Sequence, residues 1–379
     1  MNAGNTTAPR LASARRVVVK IGSALLVDPD SGRLHRPWLD GLAGDIKAMK
    51  ARGQEVLIVS SGAIALGVGY LGLKARRLTL EHSQAAAAVG QIRLAHAYEE
   101  SLAHHRITVA QILLTPSDTE ERRRYLNARG TITSLLALGV VPVINENDTV
   151  VTDEIRFGDN DTLAALAANL VEADHLILLT DQAGLYERDP REHPDARLIS
   201  EANAADTELD AMATGSGGVL GRGGMATKIR AARLAARSGT CTLIAPGREA
   251  DVLLRLRRGE ELGTLLKANQ APIAAHKQWL AGQLQLKGRL TCDSGAVRAL
   301  REQGSSLLPV GVKAVEGGFR RGEVVACVDE AGHEIARGLV NYDANEVRRI
   351  LGQPSNRIEA ILGYVAESEL IHRDDMVVF

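Results

Sequence analysis

The chain reads as an α/β protein: an open, mostly parallel sheet sandwiched between helices, followed by a small β-rich barrel domain. Three observations lead there. Short β-branched runs at residues 16–21 (RVVVKI), 55–59 (EVLIV), 140–144 (VVPVI) and 175–179 (HLILL) alternate with segments whose apolar residues recur every three or four positions. Such alternation gives a parallel sheet with helices on both faces. Polar and glycine-rich clusters follow the runs, at the strand ends where open α/β sheets bind ligands. Beyond Leu286 the pattern changes to short strands punctuated by glycine, as in a compact barrel.

In the first run Lys20 is the only interior charge. An ammonium group there is costly unless it meets an anion; a lysine snorkelling from a strand end is the plainer alternative. Residues 37–52 have helical spacing with a proline in the first turn. The second run ends in Ser60-Ser61-Gly62, where small residues expose backbone N–H groups at a helix start and suit a carboxylate or phosphate. Gly67, Gly69 and Gly72 match a dinucleotide fingerprint formally, yet they lie after the turn and are expected to end a helix. Residues 84–104 form an alanine-rich helix ending at His104-His105, and residues 107–114 a strand.

The densest polar stretch is residues 139–161. After Val140, Val141, Val143 and Ile144 come Asn145, Glu146, Asn147 and Asp148; then Gly158-Asp159-Asn160-Asp161 opens a helix marked by Leu163, Leu166, Ala167 and Leu170. Asp159 or Asn160 can cap it. Turn and cap chemistry alone would use the same residues, but two such clusters around one short excursion point to a ligand. Residues 175–179 end in Thr180-Asp181, and the glycine-rich residues 215–228 run straight into the helical spacing of Ile229, Ala232 and Ala235. A glycine loop feeding a helix start suits a polyanion, and Lys228 adds a charge. Residues 266–276, with a proline and no clear period, read as a boundary.

With 379 residues, 45% of them hydrophobic, the chain has core enough for about two or three domains. The net charge of -1 and pI near 6.8 supply no general basic field for nucleic acid, so an anion must be met by local charges. Cys241, Cys292 and Cys327 are isolated, which suggests neither a disulfide framework nor a zinc site and fits a reducing cytoplasm. No apolar run is long enough for a membrane helix, so no membrane partner is expected. The expected divisions are a disordered tail at 1–14, a first domain at 15–267, a linker at 268–285 and a second domain at 286–379.

The segments VPVINENDTV and FGDND resemble the amino-acid-kinase superfamily and, within it, the glutamate 5-kinases, over nearly the whole chain. The resemblance implies ATP-dependent phosphorylation of the side-chain carboxylate of L-glutamate, the first step of proline biosynthesis, with ATP as co-substrate and Mg²⁺ on its phosphates. It assigns Lys20 and Lys228 to the transferring phosphoryl group, with Asp161 orienting both. Glutamate falls to Ser61, Asp148 and Asn160; the nucleotide falls to Lys20, Thr180, Asp181 and the run Arg222, Gly223, Gly224, Met225, Ala226, Thr227 and Lys228. The family's loop resembles G-T-G-G-M-x-T-K, from which this chain departs at Arg222 and Ala226, so hydroxyl contacts are lost there while backbone contacts are not. No side chain is assigned to a metal.

Residues 286–379 resemble a PUA domain. PUA domains elsewhere bind RNA, but 12 Lys plus Arg against 14 Asp plus Glu leave this stretch at -2, and phosphate contacts dominate RNA affinity. RNA is therefore the disfavoured partner. The resemblance also implies a homo-oligomer (dimer or tetramer), proline as a feedback inhibitor, and a glutamyl phosphate reductase as the next enzyme. The alternatives are an RNA-binding or regulatory protein acting through the second domain, or a superfamily relative with another substrate.

Overall fold

The computed structural model describes residues 11–28, 31–73, 78–151, 159–214, 224–269 and 286–379. Gly158, Arg222 and Gly223, all singled out above, lie outside them. The chain divides into two compact units, Met1–Pro272 and Ile273–Phe379.

In the first unit the chain runs β1 (Arg16–Ile21), α1 (Ser23–Leu26), α2 (Arg36–Lys50), β2 (Glu55–Ser60), α3 (Ala63–Leu71), α4 (Leu80–Ala103), β3 (Val109–Leu114), α5 (Pro116–Glu120), α6 (Arg122–Ala137) and β4 (Val141–Glu146). It continues as α7 (Asn160–Leu170), β5 (His175–Thr180), β6 (Glu201–Asn203), α8 (Glu208–Thr214), α9 (Met225–Ala236), β7 (Cys241–Pro246), α10 (Val252–Arg257) and β8 (Thr264–Lys267). The strands form one sheet in the order β3-β4-β2-β1-β5-β7-β8-β6. All neighbours from β3 to β7 are parallel, and only β8 runs antiparallel to β7. From β1 the chain builds outward to β2, β4 and β3 on one side and to β5 and β7 on the other, so its topological switch lies between β1 and β5. Open α/β sheets bind ligands at the carboxyl ends of the strands at such a point.

Strand alternation decides which face each residue serves. Val17, Val19 and Ile21 join the core built with α2 and α4. Val18 joins the opposite core, with Leu163 and Ala167 of α7 and Ile229 and Ala232 of α9. Lys20 shares the parity of Val18, which turns it toward α7 and α9.

Helices α3 and α4 lie against each other at glycine. A Cβ on Gly67 would stand 1.8 Å from the Ala86 carbonyl oxygen, and one on Gly90 would stand 1.7 Å from that of Ala63. Of the three glycines in the false fingerprint, Gly72 ends α3 with φ +64°, whereas Gly67 and Gly69 lie within it.

Several boundaries differ from the sequence reading. β4 runs on to Glu146 and β2 to Ser60, because both strands stay hydrogen-bonded past their apolar run. Leu266, expected in a boundary, is fully buried in β8; four residues are too few to show a period.

The second unit contains β9 (Gly288–Cys292), β10 (Val312–Gly317), β11 (Val324–Val328), β12 (Glu334–Leu339) and β13 (Met376–Val378), in the sheet order β10-β9-β11-β12-β13. Its core gathers Leu290, Phe319, Val325, Ile335, Tyr342 and Ile371. Residues 304–311 hold a 3₁₀ turn at Pro309–Gly311. The helices α11 (Ser294–Gln303), α12 (Ala344–Ile350) and α13 (Ile358–Leu362) were not foreseen.

Candidate active site

Buried charge collects at the switch point. Helix α7 starts at its cap Asp159, whose Oδ1 accepts from the Thr162 N–H at 2.7 Å, and this sets Asn160 and Asp161 in the first turn. There a carboxylate is favoured by the helix dipole. Asp161 is completely buried. The Lys20 ammonium from β1 lies 2.6 Å from its Oδ1 and the Lys228 ammonium from α9 lies 3.1 Å from its Oδ2. Both lysines are themselves buried. The Thr227 hydroxyl sits 2.8 Å from the same Oδ2 and 2.7 Å from the Gly224 carbonyl.

Burial alone would push the Asp161 carboxyl up. Its two ammonium neighbours, first Lys20 and then Lys228, together with hydrogen bonds from Lys20 and Thr227, outweigh that and hold it below the usual carboxylate range. Asp161 is therefore a fixed anion, and the three side chains sum to one positive charge. A buried ion cluster of this kind gives little net stability; what it can do chemically is present ammonium groups to another anion.

Beside it lies an amide cluster. The Asn160 Nδ2 is 3.2 Å from the Ser60 carbonyl, 2.6 Å from the Ser61 Oγ and 3.2 Å from the Asn145 Oδ1. Asn145 in turn donates to the Gln91 Oε1 at 2.8 Å. The Ser60 Oγ pairs with the Tyr98 hydroxyl at 2.9 Å, and burial pushes that phenol well above its ordinary pKa.

The structure thus brings Lys20, Asp161, Thr227 and Lys228 into one group and Ser61 and Asn160 into a second, joined through adjacent positions on α7. Asp148 is half-buried on the turn just past β4. Thr180 ends β5, where its hydroxyl donates to the Asp181 Oδ1 at 3.1 Å. Its carbonyl accepts from the Gly247 N–H at 2.7 Å, and a Cβ on Gly247 would stand 2.4 Å from Leu25. Gly224 is the N-cap of α9, Met225 is buried and Ala226 exposed.

Residues 15–245 match the model of the amino acid kinase family, and residues 288–362 match that of the PUA domain. The glutamate 5-kinase of Chromohalobacter salexigens is 61% identical over 368 residues, spanning 97% of each chain. That of Hahella chejuensis is 59% identical over 371 residues, with 97% of this chain and 95% of the relative covered. That of Pseudomonas entomophila is 58% identical over 368 residues, with 97% and 99% covered. The chain belongs to the amino acid kinase family, among the glutamate 5-kinases.

Family membership leaves four residues that the sequence reading did not assign: Ser60, Gln91, Tyr98 and Asn145. All four are buried. Asn145 and Ser60 stood inside polar clusters that the sequence marked at the carboxyl ends of β4 and β2, without a role of their own. Gln91 and Tyr98 gave no comparable signal: on α4 they share the buried stripe of Ala87, Leu94 and Ala97, where a glutamine passes for surface and a tyrosine for core.

Proposed function

We propose that this chain transfers the γ-phosphoryl group of ATP to the side-chain carboxylate of L-glutamate, giving L-glutamyl 5-phosphate and ADP, the first step of proline biosynthesis. The observation behind this reading is the convergence of Lys20 of β1 and Lys228 of α9, far apart along the chain, on the single buried carboxylate of Asp161. The acceptor is ionised at neutral pH, with a reference pKa of about 4.3, so no base is needed. A carboxylate oxygen attacks the γ-phosphorus and the bond to the β,γ-bridging oxygen breaks.

The barrier is electrostatic, because an anion must approach a polyanion whose charge spreads over the moving phosphoryl group. Two ammonium groups oppose it. At about 4 Å and an effective dielectric near 20, each unit-charge contact is worth about 4 kcal/mol before desolvation. Asp161 keeps both lysines aimed, and its lowered pKa keeps it ionised. Mg²⁺ arrives with ATP as part of that substrate. Thr180, Asp181 and the start of α9 take the nucleotide, with Arg222 and Gly223 in the same run. Ser61, Asn160 and Asp148 take the amino acid.

The same reading includes a homo-oligomer, inhibition by proline and hand-over of the acyl phosphate to a glutamyl phosphate reductase. An RNA-binding reading of residues 286–379 has the PUA match behind it, set against the net charge of -2 counted over that stretch. The test is trapping of the acyl phosphate by hydroxylamine. Hydroxamate should form only with both ATP and glutamate, should not form with aspartate or N-acetylglutamate in its place, and should fall when proline is added. Absence of hydroxamate, or a gel shift with structured RNA by an inactive protein, would move the assignment to another class.

A further inference from the structure

We propose that Gln91 is a positioning residue for the amino-acid substrate: through Asn145 it holds the Asn160 side chain with its NH₂ turned inward and its carbonyl oxygen left for the substrate's ammonium. The inference rests on the glutamate-kinase reading above.

One member of the network has a polarity that cannot change. The Ser60 backbone carbonyl only accepts, so the atom of Asn160 3.2 Å from it is Nδ2. With two hydrogens, that nitrogen also faces the Ser61 Oγ and the Asn145 Oδ1. Asn145 must then present oxygen to Asn160 and nitrogen to its other neighbour, and that neighbour must accept. The Gln91 Oε1 does so at 2.8 Å. Each amide is set by the one before it, and both Gln91 and Asn145 are buried, where an unmatched amide is costly.

Two consequences follow for the ligand. Ser61, accepting from Asn160, keeps its own O–H for a carboxylate. The Asn160 Oδ1 makes none of these contacts, so Asn160 serves the ammonium together with Asp148 and is not a donor to the substrate's carboxylate. Helix α4 can hold Gln91 in place because Gly90, beside it, lets α3 and α4 approach closely.

The experiment uses the full-length enzyme and measures kcat and both KM values with the hydroxamate assay. Gln91→Met, close in volume but without the acceptor, should raise the KM for glutamate about tenfold, the scale of one lost buried hydrogen bond, while kcat and the KM for ATP stay within about twofold. Gln91→Glu keeps an acceptor at Oε1 and should retain a near-normal KM for glutamate. In an Asn160→Ala background, Gln91→Met should add no further rise. A rise in the KM for glutamate with Gln91→Glu equal to that with Gln91→Met overturns the proposal, as does a full additional effect in the Asn160→Ala background. Should Gln91→Met not fold, Gln91→Glu alone decides, since a glutamine that donated to Asn145 could not be replaced by a carboxylate. If the wild-type enzyme makes no hydroxamate, both readings fail together; wild-type activity with an unchanged KM in Gln91→Met fails only this one.

Discussion

The two units treat polar groups in opposite ways. In the first, Lys20, Asp161 and Lys228 are buried together, with Gln91, Asn145 and Ser60 nearby and Asp45 elsewhere in the core. In the second, among the described residues, no Lys, Arg, Asp or Glu is buried, and the core is apolar apart from Cys292, Cys327 and the Tyr342 hydroxyl. Its ion pairs, such as Lys313 with Glu330, lie on the surface. Desolvating charge is expensive, so a fold accumulates buried ions where something other than stability keeps them. The contrast separates a unit organised around chemistry from one organised around its own packing.

The sharpest way to break that contrast is at the lysines. Lys20→Ala or Lys228→Ala should lower kcat on the order of 10²-fold or more, measured as hydroxamate per enzyme at saturating substrates; near-normal turnover in both would make the cluster structural. Next comes the packing that seats the amide network. Gly90→Ala places a methyl 1.7 Å from a backbone carbonyl, and overpacking of that kind should cost about 3 kcal/mol in denaturant unfolding.

Asp45 tests whether every buried charge in the first unit belongs to the site. It is almost fully buried and accepts the Leu253 N–H at 3.0 Å, with the Leu254 N–H beside it. Burial pushes its carboxyl up to about 6; the backbone bond to Leu253 opposes this and nearby Asp251 adds to it. The folded value lies above the ordinary value of 3.8, so unfolding releases a proton between the two. Its stabilising contribution is complete below the lower value, declines as pH rises toward about 6 and is gone above it. Asp45→Asn should therefore flatten the stability profile across that window and stabilise the protein at neutral pH by about 1 to 2 kcal/mol, the uncharged amide avoiding most of the desolvation cost. Kinase activity should not change. The smallest effect belongs to the second unit: Lys313→Ala should leave the unfolding midpoint where it was, as for most exposed ion pairs.

What the sequence made legible follows from locality. Lys20 stood out because one charge interrupts a β-branched strand, and Asp159 because a cap announces itself within three residues. The parallel sheet was readable from alternation alone. Contacts across the fold were not: nothing in the α4 stripe marks Gln91 as the neighbour of Asn145, since that pairing depends on how α4 packs near the end of β4. In the second unit the frequent glycines drew attention to strands and away from α11, although Asp293, whose Oδ1 accepts from the Ala296 N–H at 2.7 Å, and Gly304, with φ +58°, were there to mark its two ends. Short strands such as β6 and β8 carry too few residues for any period to emerge.

The most direct measurement is a crystal structure with glutamate and a non-hydrolysable ATP analogue bound. Lys20 and Lys228 should each place Nζ about 3 Å from an oxygen of the terminal phosphate, with the side-chain carboxylate of glutamate in line behind it. A terminal phosphate more than about 6 Å from both nitrogens, beyond hydrogen-bond reach even with relaxed geometry, would contradict the account.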